Sequence, residues 1–410
     1  MDHPDTPQVG QADPVESVDP AASCHACESA RLEAFPAFTQ LPRVTSDCRS
    51  WPAGGRIALC RHCGLAQKIV DDPWRAEAQR IYASYQLYHQ TPGQTEQVIF
   101  DAARGTSAPR SELVLRALLA RLQLPGSGRM LDLGCGSGPT LRAFSRLFPG
   151  WSLCGYDPHL PDRARVEAIA GVEQVFAGQL AEVANGRRRF DLVTAVHVLE
   201  HVPNPLQFLR DVGPLLHPNS SVVVQVPNFA AGPFDLVIAD HCTHFTLPAL
   251  DRLFRQAGLV PTLLSTELLP KEITVIARPG QGASAQVTTS ELGQTRAAIA
   301  TSLGWLAELL DQARATGAAP GSGPLGLFGT SIGGNWLHGP LGPRVDFFVD
   351  EDPGRSGTSY HQRPVLRPDE VPDGCRVLCP LPPAVAIEVG ARLARRGYRF
   401  LLPPGCPPLP

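Results

Sequence analysis

From residue 111 to 122 the apolar positions Leu113, Leu115, Leu118, Leu119 and Leu122 recur at helical spacing, which predicts a helix packed on a sheet. Pro125 and Gly126 end it. Apolar runs then follow at 129–133, 151–156, 190–196 and 221–226, the last closed by Pro227. They read as strands, and helical patterns over 139–148, 206–216 and 247–256 alternate with them. Strand and helix in alternation predict an α/β fold with a doubly wound, Rossmann-like parallel sheet over residues 111–280. A helical stretch over 292–315, ended by Gly317 and Pro320, reads as a connector across 281–320. Beyond it come a Gly-rich turn (Gly329, Gly333, Gly334), a strand at 345–349 tipped by Asp350, a strand at 375–379 and a helix at 384–396. Residues 321–405 therefore read as a second, smaller α/β unit, used either to hold phosphates or to pack and enclose a substrate.

A chain of 410 residues is too long for one ordinary core, and 43 % hydrophobic with 18 % charged residues suits folded domains. The net charge of -3 gives no long-range attraction to nucleic acid or anionic lipid. Lys occurs only at Lys68 and Lys271, so the basic charge is almost all Arg. No apolar run reaches the roughly 18 residues of a membrane span. Residues 1–22 are rich in Pro and Asp and carry no apolar signal region, so a disordered tail and a cytoplasmic protein are expected. In that compartment the eleven Cys stay reduced, and clustered ones read as metal ligands.

Two Cys-x-x-Cys pairs stand out in residues 23–75: Cys24 with Cys27, and Cys60 with Cys63. A two-residue spacer lets two thiolates reach one ion from a tight turn, and two such knuckles close a tetrahedral shell. A structural Zn2+ is expected there, since so small a module needs the roughly 10–16 kcal/mol that bound zinc supplies. Phe35, Phe38, Trp51 and Ile57 are the expected core around the ion, and Cys48 is read as a core residue.

The segment after the first helix runs Arg129-Met-Leu-Asp-Leu-Gly-Cys-Gly-Ser-Gly138 and enters a helix at Pro139. Glycines allow close backbone approach, and a helix N-terminus offers free N–H groups. Asp157 ends the next strand, where an acid can accept bonds from ribose hydroxyls. Pro139 stands where a dinucleotide fold would need its third glycine. Titratable residues gather at Glu200 and His201, at Asp240, His241 and His244, and at Tyr82, Tyr85, Tyr88 and His89 in a predicted Tyr-rich helical segment over 76–110. His201 and His244 also have bland readings, as a cap and as a packing residue.

The succession LDLGCGSG, GYDP and FDLVTAVHVLEHV resembles the cofactor motifs of class I S-adenosylmethionine methyltransferases. The resemblance implies that Asp132, Gly134, Gly136 and Gly138 cradle the methionine end of S-adenosylmethionine, and that Asp157 holds its ribose. Gly178, Gln179 and Leu180 would border the adenine, and His197 would join the cofactor-contacting set. The order of cysteine module, Tyr-rich segment, methyltransferase core and C-terminal unit is similar to the sugar C-methyltransferases, which methylate carbon beside a ketone in nucleotide-linked deoxysugars. That likeness places the catalytic residues at Tyr85 or Tyr88, His201, and the pair Asp240-His241. Two departures from the family pattern are Asp240, where a Glu is usual, and His244, where a Tyr is usual. In the implied mechanism His241 is the general base, Asp240 orients it, and Tyr88 and His201 donate to the enolate oxygen. The expected partner is a nucleotide-linked keto sugar, with no nucleic acid and no membrane. The rival readings are O- or N-methylation of another small molecule, and a non-catalytic nucleic-acid-binding scaffold; few basic residues flank the cysteines.

Overall fold

The computed structural model describes residues 22–85, 98–101, 106–160, 163–185, 188–269, 271–319, 323–393 and 397–407. Tyr88, His89 and the expected tail up to residue 21 lie outside the described residues. Seven strands form the central sheet: Arg129–Leu133, Ser152–Tyr156, Val172–Phe176, Phe190–Val196, Leu216–Pro227, Leu259–Ser265 and Glu272–Pro279. Numbered along the chain, their spatial order is 3-2-1-4-5-7-6. The first five pair in parallel, and the seventh runs antiparallel between the fifth and sixth. Strand order reverses between the first and fourth strands, so ligands belong outside their carboxyl ends. Side chains alternate through the sheet: Val222, Val224 and Val226 join one core with Leu131, Val193 and Phe254, while Val223 faces another with Val114, Leu118 and Phe144.

Two expectations change. The helix predicted over 206–216 spans Pro205–Val212, because Gly213 and Pro214 break it and the chain enters a strand at Leu216. Among the described residues of the Tyr-rich stretch before residue 110, the helix spans Asp72–Ala83, where Asp71 caps the first turn by accepting from Trp74 N at 2.8 Å. Tyr85 follows that helix, and Val98–Asp101 pairs antiparallel with Thr106–Pro109 instead of continuing it.

A four-stranded sheet orders Leu32–Ala34, Ile57–Cys60, Ala66–Lys68 and Thr243–His244 side by side, all antiparallel. Its last strand comes from far along the chain. Residues 57–60 alternate between two cores: Ala58 and Cys60 pack toward the central sheet, Ile57 and Leu59 toward the long helix Thr289–Ala318. The expected small core around the cysteines is therefore corrected. Phe38 and Ile57 lie on the face with Leu236 and Trp336, and Trp51 donates its indole N–H to Glu77 at 2.8 Å. A sheet that small is covered on both sides by larger neighbours and needs no private core.

The long helix starts at a capping box made by Thr288 and Glu291 and buries Ile299, Leu303, Leu306 and Leu310 along one stripe. The C-terminal sheet has spatial order Ser359–Tyr360, Arg363–Leu366, Phe347–Val349, Leu325–Phe328, Arg376–Leu378, Arg399–Leu401. Trp336, fully buried on the helix Ile332–Leu341, donates to the Pro42 carbonyl at 2.6 Å and meets Phe234 edge-on. It joins the cysteine sheet, the 233–237 turn and the C-terminal sheet in one core. Trp336→Ala is expected to destabilise the fold by about 3–5 kcal/mol, read as a lower denaturant midpoint.

Candidate active site

The first strand ends in three glycines of positive φ: Gly134 (66°), Gly136 (51°) and Gly138 (83°). Gly134 and Gly138 are packing glycines, because a Cβ would fall 2.4 Å from Val198 and 2.5 Å from Ile169. At Gly136 a Cβ would meet nothing within 4 Å, so its left-handed backbone faces open space. Beside it, the Ser137 hydroxyl is buried with no hydrogen-bond partner among the described residues. An open glycine and an orphaned hydroxyl fit a ligand lying against this turn.

The cleft there has a volume of about 560 Å³, within the range of small-molecule sites. It runs from Gly134–Ser137 past His197, Glu200, His201 and His241 to Ser331–Gly333 and Pro380–Pro382 of the C-terminal sheet. The described helices include none long and apolar enough to cross a membrane.

Asp132 does not line this cleft. It is buried, accepts from Thr194 Oγ1 at 2.7 Å, and burial pushes its pKa up to about 7. Its position holds the glycine turn to the fourth strand. Asp157 accepts from Gly136 N at 3.0 Å and from His159 N at 2.9 Å, which ties the second strand to the same turn. Gln179 is exposed, whereas Leu180 is buried in the core beside Tyr156. His197 takes a left-handed φ of 56° and lies between Glu200 (2.9 Å) and Glu272 (3.2 Å). Burial opposes its charge, but the Glu272 and Glu200 carboxylates outweigh both burial and the nearby Arg110, and its pKa is raised to about 9. Arg110 bridges His197 and Glu272.

The histidines form the other wall. His241 donates from Nδ1 to Asp235 Oδ1 at 2.6 Å, and His244 donates from Nδ1 to Asp235 Oδ2 at 2.7 Å. One buried carboxylate thus fixes two imidazoles; burial pushes its pKa up, yet the two histidines hold it far below the ordinary carboxylate range. The expectation that Asp240 orients His241 is corrected: Asp235 does so. Asp240 instead accepts from Ser46 N at 2.9 Å and Ser46 Oγ at 2.5 Å. Its other neighbour is His201, whose Nδ1 lies 3.2 Å from the Asp240 carbonyl and 3.4 Å from its carboxylate. The hydroxyl of Tyr82 is 3.0 Å from the same nitrogen. Every neighbour of His201 Nδ1 can accept, so Nδ1 carries the hydrogen and Nε2 is left as the basic nitrogen. The rings of His201 and His241 meet edge-on, 4.6 Å apart.

Of the two tyrosines implied by resemblance, Tyr85 lines the cleft with its hydroxyl 3.4 Å from Ser46 Oγ. Tyr82 is the phenol that touches His201, and burial keeps its hydroxyl protonated. Sequence reasoning named Tyr82 in the Tyr cluster without giving it a role, and passed over Asp235, Arg110 and Ser46. Asp235 lies six residues before His241, and no helical or strand period makes that pair a contact.

The cysteines sit behind this wall. Cys24 and Cys63 sulfurs are 3.6 Å apart, as are Cys27 and Cys60, and all four lie within 4.8 Å of one another. A tetrahedral ion bound at about 2.3 Å would set the sulfurs about 3.8 Å apart, so the cluster fits one. Cys48 is buried elsewhere, at a positive φ of 63°. In the first knuckle His25 Nε2 meets Thr243 Oγ1 at 2.8 Å, one residue from His244.

Residues 108–264 match the family described as a methyltransferase domain. The ubiquinone biosynthesis O-methyltransferase of Xanthomonas campestris pv. campestris is 34 % identical over 122 residues, which is 29 % of this chain and 51 % of that protein. Its counterpart from Azorhizobium caulinodans is 33 % identical over 114 residues, 27 % of this chain and 44 % of that one. The chain thus spans about half the length of the curated relatives it matches. Among solved structures, an S-adenosylmethionine-dependent methyltransferase from Clostridium acetobutylicum aligns with 11 % identity and TM-score 0.35 over 42 % of this chain and 90 % of its own. Human N-acetylserotonin methyltransferase aligns with 16 % identity and TM-score 0.34, over 40 % and 51 % respectively. Residues 108–264, which include the glycine turn and the histidine wall, thus match a methyltransferase domain.

Asp235→Asn and His241→Ala are each expected to lower turnover at least about 10²-fold while cofactor affinity stays nearly unchanged. Because the two act as one unit, the double variant should be little worse than either single one. Additive losses, or a larger loss in Asp240→Asn, would return the orienting role to Asp240.

Proposed function

We propose that this chain transfers a methyl group from S-adenosylmethionine to the carbon beside a ketone in a nucleotide-linked deoxysugar. The observation that carries the reading is the pair of facing imidazoles, each anchored by its own buried aspartate, on the wall of the cleft next to the glycine turn. Bound against Gly136 and Ser137, S-adenosylmethionine supplies an electrophilic methyl. Removing a proton from carbon needs two groups: a base, and a donor for the oxygen on which charge develops. His241, held by Asp235, is the base. Asp235 holds its Nδ1, so Nε2 is the nitrogen left to take the proton. The Tyr85 phenol donates to the enolate oxygen, and His201 and Tyr88 keep that role as expectations. His197, Arg110 and Glu272 flank the cofactor end of the cleft. Its far end, at Ser331–Gly333, opens on the N-terminus of the helix Ile332–Leu341 and suits the phosphates of a nucleotide. The cysteine cluster holds a structural Zn2+; a closed four-thiolate shell leaves no position for water or substrate.

O-methylation is the second reading, supported by the relatives named ubiquinone biosynthesis O-methyltransferase. It needs a base and no enolate donor.

Incubation with methyl-labelled cofactor and a panel of nucleotide-linked 4-keto sugars is expected to give a carbon-bound methyl by NMR. It should also give deuterium wash-in at the acceptor C–H without cofactor turnover. An oxygen-bound methyl without exchange would establish the second reading. Stripping the ion from the cysteine cluster with a chelator is expected to abolish turnover and to speed amide hydrogen exchange at Thr243 and His244, with cofactor binding largely retained. Unchanged exchange at 243–244 would separate the cluster from the site.

A further inference from the structure

We infer that Glu200, His201 and His241 form a second divalent-cation site, inside the cleft and separate from the four-cysteine cluster. Each residue brings one ligand-capable atom, and these atoms all lie within 4.8 Å of one another. Two imidazoles and one carboxylate with open positions suit a transition-metal ion such as Zn2+, Fe2+ or Co2+.

The carboxylate is the telling member. Glu200 is fully buried, and its Oε1 accepts from His197 Nδ1 at 2.9 Å. Its Oε2 is equally buried and has no hydrogen-bond partner among the described residues, although the residue lines the cleft. A buried carboxylate oxygen left empty in this way calls for a ligand. The histidines are prepared in the manner of metal ligands, each with one nitrogen held by an outer acceptor. Asp235 engages His241 Nδ1, while Asp240 and Tyr82 surround His201 Nδ1. Both rings therefore offer Nε2. All three residues border the cleft, so an ion has an entry path and keeps positions for water or an acceptor oxygen.

The lone pair on His241 Nε2 can take a proton or bind an ion, but not both. Occupancy of the site therefore suspends the general-base role of His241. A transition-metal ion competes there with the proton, not with the cofactor.

The test uses the full chain with its cysteine cluster filled by one Zn2+, and Co2+ as the probe, without cofactor or acceptor. One further equivalent of Co2+ is expected to bind, with the weak visible bands of nitrogen and oxygen ligation and no intense sulfur-to-cobalt bands. Glu200→Gln should weaken that binding about 10- to 100-fold, with near-UV circular dichroism checking its fold. In the unmodified protein, Co2+ should shift the ring-proton signals of His201 and His241 and leave exposed His62 and His217 in place. No second equivalent, equal affinity in Glu200→Gln, or shifts at His62 and His217 instead would each overturn the assignment. None of these readings involves methyl transfer, so their failure is distinct from failure of the proposed reaction.

Discussion

The arrangement depends on one short backbone pairing, Thr243 against Gln67 and His244 against Ala66. Through it a loop of the methyltransferase domain becomes the last strand of the cysteine sheet. Lys68 N extends the ladder by donating to the Cys242 carbonyl at 2.9 Å. Cys242 N in turn donates to the Glu200 carbonyl at 2.8 Å, so the same segment is fastened to the fourth strand's end. Two bodies of the protein thus grip the stretch between Asp235 and His244. A loop of ten residues with two carboxylates and two imidazoles would otherwise be free to sample many conformations.

Burial makes this grip an electrostatic matter. Asp235, Asp240, His244 and Lys68 are all nearly inaccessible to water. A charge there stands only where a partner of opposite sign or a hydrogen-bond donor meets it. Asp235 meets two imidazole N–H groups, and Asp240 meets Ser46 and His201. Lys68 lies against the Ile238 carbonyl, and burial lowers its pKa to about 7. Ser46 comes to Asp240 from the cysteine region.

The strands and helices that carry the cofactor turn were legible from the chain, since period-2 and period-3.6 patterns and glycine punctuation are local properties. The turn from Leu133 to Pro139 and the acid at Asp157 lie where the periodicity places them. The two cysteine pairs were legible for the same reason, because a two-residue spacer is a local geometry. What stayed hidden was contact between loops. The pairing of Asp235 with His241, of Asp240 with Ser46 nearly two hundred residues away, and of Tyr82 with His201 follows from tertiary packing alone. The end of the helix Asp72–Ala83 was hidden too, and the phenol that meets His201 is Tyr82, not one of the two implied by resemblance. Phe38 and Ile57 were assigned to the wrong neighbours because both faces of their sheet are covered.

The alternation along residues 57–60 has a consequence for how the chain finds its fold. In most half-solvated strands, a slip of one residue is rejected because it drives polar side chains into the core. Here both faces are apolar, so the side chains at 57, 58 and 59 would tolerate the slip almost equally well. Cys60 is the residue that would not: it would turn away from Cys24, Cys27 and Cys63. The sulfur cluster therefore acts as a proofreader of strand register, choosing between two pairings that hydrophobicity alone leaves nearly degenerate.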